Sequence, residues 1–423
     1  MGSTALGIQI WDLEAQRRVA RLESHAHEVD FLTFHPSGNW LASWSWDGVM
    51  CLWDPTTGRQ AMEIPLVANL QFSRDGRSMG FLWPSEDQAQ LLEFVSSREY
   101  FSLQGNLAAD RKSLNAGATS PDDHYLAVAM DDAVHLWDLP AGREIACLPP
   151  GLSESVVFEP QGLALWTCGA GNGVQRWPIQ PSATNASELL VGPPRTMELP
   201  FIPRRLAADR TVQKLAIVST NTGEALVLDL AAQSAPGFRV KHPRADYVAL
   251  SPDANWLATI GWHSDRAQLW NLQTGKLAQD RAVGLETKVA FTPDSRELIL
   301  EEGSEFHFVN VETLETSRRL KREIGLFPGH VAFSPDEKLM AMEIAPAVIH
   351  LKEVVTGRTV AQLEDPFGDR SNMLLFTHDG TKLIVLSTYA SAIHVWDLRA
   401  IRSRLKPMGL DWDWPEFMPP SKE

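Results

Sequence analysis

Apolar and polar positions alternate along most of this chain, in short runs separated by turn residues. In Leu41 to Asp54 (LASWSWDGVMCLWD), two apolar runs flank a polar turn centred on Asp47 and Gly48. Alternation with a period of two predicts antiparallel strands, because an amphipathic helix would repeat about every 3.6 residues instead. The pattern therefore predicts an all-β fold of small antiparallel sheets.

A Trp-Asp pair, or a close variant of it, recurs at the predicted end of each third strand. Strong copies are Trp11-Asp12, Trp53-Asp54, Trp137-Asp138, Trp270-Asn271 and Trp396-Asp397. Most copies, weaker ones included, lie about 40 to 44 residues apart, which is the period of a four-stranded propeller blade. The spacing predicts nine full units and an N-terminal partial unit that lacks its first two strands.

A second repeat, a strand end followed by a tight turn, runs in phase with the first. Examples are Phe34-His35-Pro36-Ser37-Gly38, Leu250-Ser251-Pro252-Asp253 and Phe333-Ser334-Pro335-Asp336. Proline fixes φ for a turn, while Asp and Gly accept the remaining backbone angles. Two separate signals at one period make a chance repeat improbable.

With these motifs the chain resembles the WD40-repeat proteins from Leu6 to Leu398. The family's hydrogen-bonded tetrad of His, Ser or Thr, Asp and Trp maps onto the first full unit, where it would comprise His25, Ser43 or Ser45, Asp47 and Trp53. Most other units lack part of the tetrad. The resemblance implies a β-propeller that acts as a scaffold for an unknown protein or peptide partner, without catalytic residues or a cofactor.

Two domain arrangements fit the repeats, because a propeller closes to protect the hydrogen-bonding edges of its sheets. In the first, residues 1–98 end a preceding array, residues 99–398 form a seven-bladed propeller and residues 399–423 form a docked tail. The strand near Tyr100 to Leu103 would then complete the last blade. In the second arrangement, residues 1–398 form one ring of eight to ten blades.

The C-terminal segment GLDWDWPEFMPP is aromatic and acidic. Exposure of its apolar side chains would cost about 25 cal/mol per Å², so we expect Trp412, Trp414 and Phe417 to anchor the tail on the propeller. This ending resembles the C-termini of WD40 arrays fused to planctomycete-type bacterial serine/threonine kinases. It implies the regulatory part of a bacterial signalling protein, although the sequence carries no kinase motif.

The charge of the chain limits the kinds of partner that it is expected to bind. A formal net charge of −15 argues against binding to nucleic acids or anionic membranes, because both bind positively charged protein surfaces. The three cysteines, Cys51, Cys147 and Cys168, are too few for a disulfide framework or a zinc site. With neither a signal peptide nor a membrane span recognised, we expect a cytoplasmic protein that is a monomer or part of a larger assembly.

Candidate chemistry is sparse in the sequence. His25-Ala26-His27-Glu28 lacks the spacing of a zinc motif, and Gly169 to Gly173 falls in a predicted strand-strand turn rather than at a helix start. The alternative function is a propeller hydrolase or lyase with an axial site that a linear motif does not reveal. We see no recurring Asp, Glu or His at an inner-strand position, so we predict no catalysis and no metal.

Four aromatic residues lie at or near the turn between second and third strands, on the rim where propellers bind partners. They are Trp46, Trp83, Trp262 and Tyr389. Trp and Tyr are enriched in interface hot spots, which makes these residues the candidate partner-binding rim. The alternative for each of them is packing between blades.

Overall fold

The structure is a computed structural model of the 423-residue chain. It describes every residue except 1, 5, 6, 14, 15, 24, 56, 57, 66, 67, 84–87, 94–98, 104–111, 150, 182–188, 220, 232–236, 262, 324–326, 367, 388–390 and 418–423. The chain divides into two compact units. Unit 1 comprises residues 1–112 and 389–392, and unit 2 comprises residues 113–388 and 393–423. The predicted domain boundaries stay predictions.

Unit 1 contains three antiparallel sheets in its described residues. The first has β1 (Gly2–Thr4), β2 (Gly7–Asp12) and β3 (Arg17–Leu22). The second has β4 (Val29–Phe34), β5 (Leu41–Ser45), β6 (Val49–Asp54) and β7 (Arg59–Pro65). The third has β8 (Ala68–Phe72), β9 (Ser78–Trp83) and β10 (Gln88–Glu93), and β11 (Tyr100–Ser102) follows. The expectation that two strands are missing before β2 was wrong, because β1 pairs with β2.

Unit 2 begins with four sheets, whose strands follow in chain order. The first has β12 (Leu114–Thr119), β13 (Tyr125–Met130), β14 (Val134–Asp138) and β15 (Arg143–Cys147). The second has β16 (Ser155–Phe158), β17 (Ala164–Gly169) and β18 (Gly173–Pro181), with β19 (Leu189–Val191) and β20 (Arg195–Met197) both paired to β18. The third has β21 (Pro203–Ala208), β22 (Lys214–Ser219), β23 (Glu224–Asp229) and β24 (Phe238–Lys241). The fourth has β25 (Tyr247–Leu250), β26 (Trp256–Ile260), β27 (Arg266–Asn271) and β28 (Lys276–Ala282).

Three further sheets and a short helix complete unit 2. The fifth has β29 (Lys288–Phe291), β30 (Glu297–Glu301), β31 (Glu305–Asn310) and β32 (Thr316–Lys321). The sixth has β33 (Val331–Phe333), β34 (Leu339–Ala345), β35 (Val348–Glu353) and β36 (Thr359–Glu364). The seventh has β37 (Ser371–Phe376), β38 (Lys382–Ser387) and β39 (Ile393–Asp397). Helix α1 (Leu398–Leu405) and a 3₁₀ turn (Lys406–Met408) follow. The predicted all-β fold of four-stranded antiparallel blades is confirmed.

The seven sheets of unit 2 contact one another in chain order, and the last contacts the first. Their inner strands are neighbours from β12 through β29 and again at β33 and β37. The fifth and sixth sheets meet where the Arg318 guanidinium donates to the Val354 carbonyl at 2.7 Å. The ring closes where Asn372 Nδ2 donates to the Leu114 carbonyl at 2.5 Å. Each sheet thus covers a face of the next, which is the packing of a propeller.

The predicted turns after the inner strands share one hydrogen-bonding device. In the fourth sheet, the Ser251 hydroxyl donates to Asp253 at 2.6 Å and accepts the Trp256 backbone N–H at 2.9 Å. Ser120, Thr292, Ser334 and Thr377 repeat this pattern with the aspartate two residues later. The residue after the aspartate takes the left-handed conformation, as at Ala254 with φ 57°. Each turn therefore satisfies its own polar groups.

The core lies between the sheets, since the second strands are buried on both faces. Every residue of β13, β17 and β34 is buried. Space is tight where the ring closes: a Cβ on Gly117 would lie 2.9 Å from Leu375 Cδ1 and 3.2 Å from Leu386 Cδ1. Among the residues described, helices are too short or too polar to cross a membrane.

Candidate functional site

The four residues of the expected tetrad lie together in the second sheet of unit 1. His25 Nε2 is 2.7 Å from Ser43 Oγ, and Trp53 Nε1 donates to the same oxygen at 2.7 Å. His25 Nδ1 is 3.1 Å from Asp47 Oδ2. Because a carboxylate only accepts, the Nδ1 proton points to Asp47 and Nε2 accepts the Ser43 hydroxyl. Ser43 rather than Ser45 is the hydroxyl of the tetrad.

Asp47 fixes the turn between β5 and β6 and the loop that precedes β4. Its carboxylate accepts the backbone N–H groups of Val49 and Ala26, each at 2.9 Å. Burial alone would raise the pKa of Asp47, but these bonds and His25 outweigh it and hold that pKa below its usual value. Ser45 Oγ accepts the Asp47 backbone N–H at 3.3 Å. The turn is therefore held from both of its sides.

Trp46 stands on this fixed turn and is 69% exposed. Its ring centroid lies 5.6 Å from that of the half-buried Trp44. Phe31, which is 44% exposed, is paired in register with Trp44, so the two side chains share one face of the sheet. We call Phe31, Trp44 and Trp46 the aromatic patch. The packing alternative does not describe Trp46, whose side chain faces solvent.

The aromatic patch includes none of the other three rim candidates. Trp262 and Tyr389 lie outside the described residues, and the same holds for the side chain of Trp83. Their place on the rim stays a prediction.

Partial tetrads occur in unit 2. Trp177 Nε1 donates to Thr167 at 3.1 Å in the second sheet, and His242 Nδ1 lies 2.9 Å from the Thr259 hydroxyl in the fourth. The indole N–H of Trp270, at the tetrad position of the fourth sheet, is buried without a hydrogen-bond acceptor. These sheets depend more on packing than on the polar network.

Polar side chains of changing type lie at the start of the inner strands of unit 2, where the expectation from the sequence concerned only a recurring Asp, Glu or His. They are Asn115, Glu154, Arg204, Arg205, Asp246, Tyr247, Lys288, His330 and Asn372. The residue type changes from sheet to sheet, so a search for one recurring acid or histidine misses the shared position. Asn115, Arg204 and Asn372 are the extra residues of β-bulges, which redirect a side chain out of the ladder.

Five of these residues and two neighbours line a cavity of about 240 Å³ inside the ring. The lining consists of Ser113, Leu114, Asn115, Arg205, Tyr247, Lys288 and Asn372. The Arg205 guanidinium lies 3.7 Å from the centroid of the Tyr247 ring and 2.7 Å from Glu154. Lys288 Nζ donates to Asn372 Oδ1 at 3.3 Å. We call this space the axial cavity.

Several acidic and basic side chains interact electrostatically with Lys288. Burial lowers the pKa of the Lys288 ammonium, and Arg205 and Arg370 lower it further, while Glu301 opposes them. Burial raises the pKa of Glu301 in turn. His330 Nδ1 is 3.7 Å from Glu301, and burial holds the pKa of that imidazole well below its usual value. Burial thus shifts the pKa of each of these groups toward its neutral form.

A second acid, Glu343, is entirely buried next to this group. Its Oε1 accepts the Ser371 backbone N–H at 3.1 Å, and Arg322 donates to the Glu343 carbonyl at 3.0 Å. Burial raises the pKa of Glu343. Arginine stays charged in proteins, and the Arg322 guanidinium lies 3.9 Å from the Glu343 carboxyl group.

The C-terminal tail folds back on α1 around Arg402. The guanidinium donates to both oxygens of Asp411 at 2.9 and 3.1 Å, and to the backbone carbonyls of Trp414 and Pro415 at 2.7 and 2.6 Å. Phe417 packs against the core of the last two sheets of unit 2. Trp412 and Phe417 lie within reach of the cation, at 5.3 and 5.5 Å from their centroids. Of the three expected anchors, Phe417 reaches the core and Trp414 contributes its carbonyl.

Within the part of the chain that the structure describes, no three His, Cys, Asp or Glu side chains are arranged to hold a metal ion.

Known proteins share features with parts of this chain. Residues 16–54 match the sequence model of the family described as WD domain, G-beta repeat. The chain is 26% identical over 147 residues to Pre-mRNA-processing factor 19 homolog 2 from Arabidopsis thaliana, an alignment that covers 33% of this chain and 27% of that protein. It is 25% identical over 203 residues to Telomerase protein component 1 from Rattus norvegicus, which covers 44% of this chain and 7% of that protein.

The chain thus spans less than a third of either relative. The matched segment contains β3 to β6 and the whole tetrad. Residues 16–54 carry a WD40 repeat, and the chain is weakly similar to WD-repeat proteins.

Proposed function

We propose that this protein is a non-catalytic docking platform that binds a protein or peptide partner at the aromatic patch. WD40 repeats mediate protein–protein interactions, and the matched repeat is the one that carries Trp46. The observation that carries the proposal is the exposure of Trp46 on a turn that Asp47 holds in place. A large aromatic ring on a fixed backbone loses little entropy when it binds.

The surroundings of Trp46 favour a partner with a basic side chain. Glu28 and Asp30 are both exposed on the neighbouring segment, and the backbone N–H of Trp46 donates to the Glu28 carbonyl at 3.2 Å. An arginine or lysine over the indole face would gain about 0.5 to 2 kcal/mol from the cation–π contact. The exposed carboxylates of this segment would add attraction for the same cation. The partner segment would therefore offer a cation next to apolar side chains.

The wider setting follows from the resemblance of the aromatic, acidic tail to bacterial kinase-linked WD40 arrays. We propose that the chain is the regulatory part of a bacterial signalling protein and works in the cytoplasm. Its low number of cysteines, three in 423 residues, suits a reducing compartment. Co-purification of the native protein from its source, followed by identification of stoichiometric partners, tests this setting.

Site-specific photocrosslinking tests the docking surface directly. p-Benzoylphenylalanine replaces Trp46 in one variant and Trp11 in another, which serves as the control because it is a half-exposed tryptophan, 49% accessible, in another sheet of unit 1. Both variants are illuminated in source cells, and crosslinked proteins are identified by mass spectrometry. We expect a discrete partner at position 46 that is absent at position 11.

Binding of the identified partner is then measured with purified proteins. Trp46→Ala should weaken binding by about 2 kcal/mol or more if the ring is a hot spot, whereas Trp11→Ala should leave affinity unchanged. Folding of both variants is checked by circular dichroism. Equal affinity of wild type and folded Trp46→Ala would refute the aromatic patch as the contact surface.

A further inference from the structure

We propose that the axial cavity of unit 2 is a binding site for a small oxyanion, a carboxylate or a phosphate group, held by Lys288 and Arg205. This activity goes beyond partner docking, since it involves residues of unit 2 rather than the aromatic patch. Lys288 and Arg205 are the two charged side chains of the lining, and both are cations. Guanidinium and ammonium groups are the usual protein partners of carboxylate and phosphate.

The carboxylates near these cations lie behind them. Glu154 accepts from Arg205 at 2.7 Å and from Arg204 at 3.1 Å, and Asp246 accepts from Arg204 at 2.7 Å, so two carboxylates serve the two guanidinium groups. Among the acids, Glu301 has the largest electrostatic effect on Lys288. Burial raises the pKa of Glu301. These acids are not part of the lining, so the charged groups that face the cavity are both positive. An oxyanion bound in the cavity would accept hydrogen bonds from both cations.

The rest of the lining fixes the position of the cations. The Tyr247 ring lies against the Arg205 guanidinium, and Asn372 accepts from Lys288 while its amide donates to the Leu114 carbonyl. Asn115 is held likewise, since its Nδ2 donates to Asp131 at 3.1 Å and to the Ser153 carbonyl at 2.9 Å. Preorganised donors bind anions better than mobile ones because less ordering accompanies binding.

The size and walls of the cavity limit the ligand. Its volume of about 240 Å³ is below the range of about 300 to 1,000 Å³ that is typical of drug-sized ligands. The Tyr247 ring gives it apolar surface beside the cations. A compact molecule with one oxyanion group and a short apolar or hydroxylated body fits this description.

The test is calorimetric titration of the full chain with inorganic phosphate and, separately, with succinate, each at constant ionic strength set with potassium chloride. Wild type is compared with Lys288→Met, which keeps the length of the side chain and removes its charge. The matched control is Lys276→Met, a change at an exposed lysine that begins the outer strand β28. We expect saturable binding that Lys288→Met weakens by about tenfold to a hundredfold and that Lys276→Met leaves unchanged.

A second measurement protects the test against misfolding of Lys288→Met. The rate at which acetic anhydride modifies each lysine of the wild-type chain is measured by mass spectrometry with and without the anions. Bound anion should slow modification of Lys288 and leave that of Lys276 unchanged. Protection by phosphate alone assigns a phosphate ester, and protection by succinate alone assigns a carboxylate.

No saturable binding of either anion, or binding that folded Lys288→Met retains in full, would overturn the proposal. Equal modification of Lys288 with and without both anions would do the same. Neither result touches partner docking, because the crosslinking at position 46 reports on a different surface.

Discussion

Replacement of Arg402 by methionine should release the C-terminal tail while the seven sheets of unit 2 stay folded. Arg402 is 7% exposed and is the common donor to Asp411, Trp414 and Pro415. Methionine matches the aliphatic part of the side chain, so the change removes the hydrogen bonds and the charge with little loss of volume. The tail keeps the apolar contact of Phe417 with the core and the exposed ion pair between Lys406 and Glu416.

The magnitude follows from the contacts. Hydrogen bonds to charged groups contribute about 1.5 to 3 kcal/mol each, and removal of one partner of a buried ion pair costs about 3 to 5 kcal/mol. Asp411 is half-buried and returns to water when the tail detaches, so we take the lower end, about 3 kcal/mol. Since about 1.4 kcal/mol is a tenfold change in an equilibrium, the undocked fraction should rise by about a hundredfold.

Hydrogen exchange measures this change directly. Backbone amides of residues 411–417 are followed by mass spectrometry in wild type, in Arg402→Met and in Arg404→Met. Arg404 is the matched control, because it lies in the last turn of the same helix but is exposed. We expect about a hundredfold faster exchange of the tail in Arg402→Met only, with exchange in the buried strand β38 unchanged.

Equal protection of the tail in Arg402→Met and wild type would refute the role given to this arginine. Faster exchange throughout β38 would show instead that Arg402 stabilises the last sheet. The pH dependence gives a further check: the Arg402 hydrogen bond lowers the pKa of Asp411. Docking should therefore be complete above the ordinary aspartate pKa and weaken as pH falls through the lowered value.

Three other outcomes follow from single contacts. Ser43→Ala removes the hydroxyl that joins the tetrad and should lower the free energy of unfolding in urea by about 1 to 3 kcal/mol, whereas Ser37→Ala, an exposed control, should not. Burial alone would lower the pKa of His135, but its side-chain hydrogen bonds raise it to about 10; NMR titration should show an imidazolium below that pH, and Glu144→Gln should lower the value. The stabilisation from this histidine should be complete below the ordinary histidine pKa and disappear as pH rises through about 10. Gly169→Ala would place Cβ 1.9 Å from a backbone carbonyl oxygen, so it should cost about 3 kcal/mol or more, and an unchanged melting temperature would contradict the packing of that turn.

The sheets and turns were predictable from the sequence because their signals are local. Ser251, Pro252 and Asp253 meet within one turn, so the chain displays the whole device in order. The same holds for Trp46 and Asp47, whose places follow from the turn between two alternating runs. Hydrogen bonds between residues that are close in sequence can be predicted from the spacing of those residues.

The axial cavity was not predictable in this way because its residues come from five different sheets. Arg205 and Lys288 are both cations but Tyr247 is neutral, the three side chains differ in shape, and each is a reasonable surface residue when taken alone. One signal was available: each lies four residues before the first residue of the following turn, as does His330. A comparison of the units by position, rather than by residue type, would have found them.

The docking of the C-terminal tail was predictable only in part. Its aromatic residues indicated that it docks, but Arg402 lies in a helix with other arginines, and nothing in the sequence distinguishes it from them. Only the fold shows that this arginine faces inward while Arg404 faces solvent. Apolar anchors are visible in composition, whereas the polar group that orients them depends on the rotation of the helix.

The self-contained turns leave the axis of unit 2 free to vary. Because Ser334 and Asp336 satisfy each other and the backbone of their own turn, the sheet keeps that connection whatever side chain stands at position 330. The hydrogen bonds of each turn and the axial side chain thus depend on separate positions, four residues apart. Point substitutions at position 330 can therefore change the chemistry of the axis over evolutionary time while the turn is inherited intact.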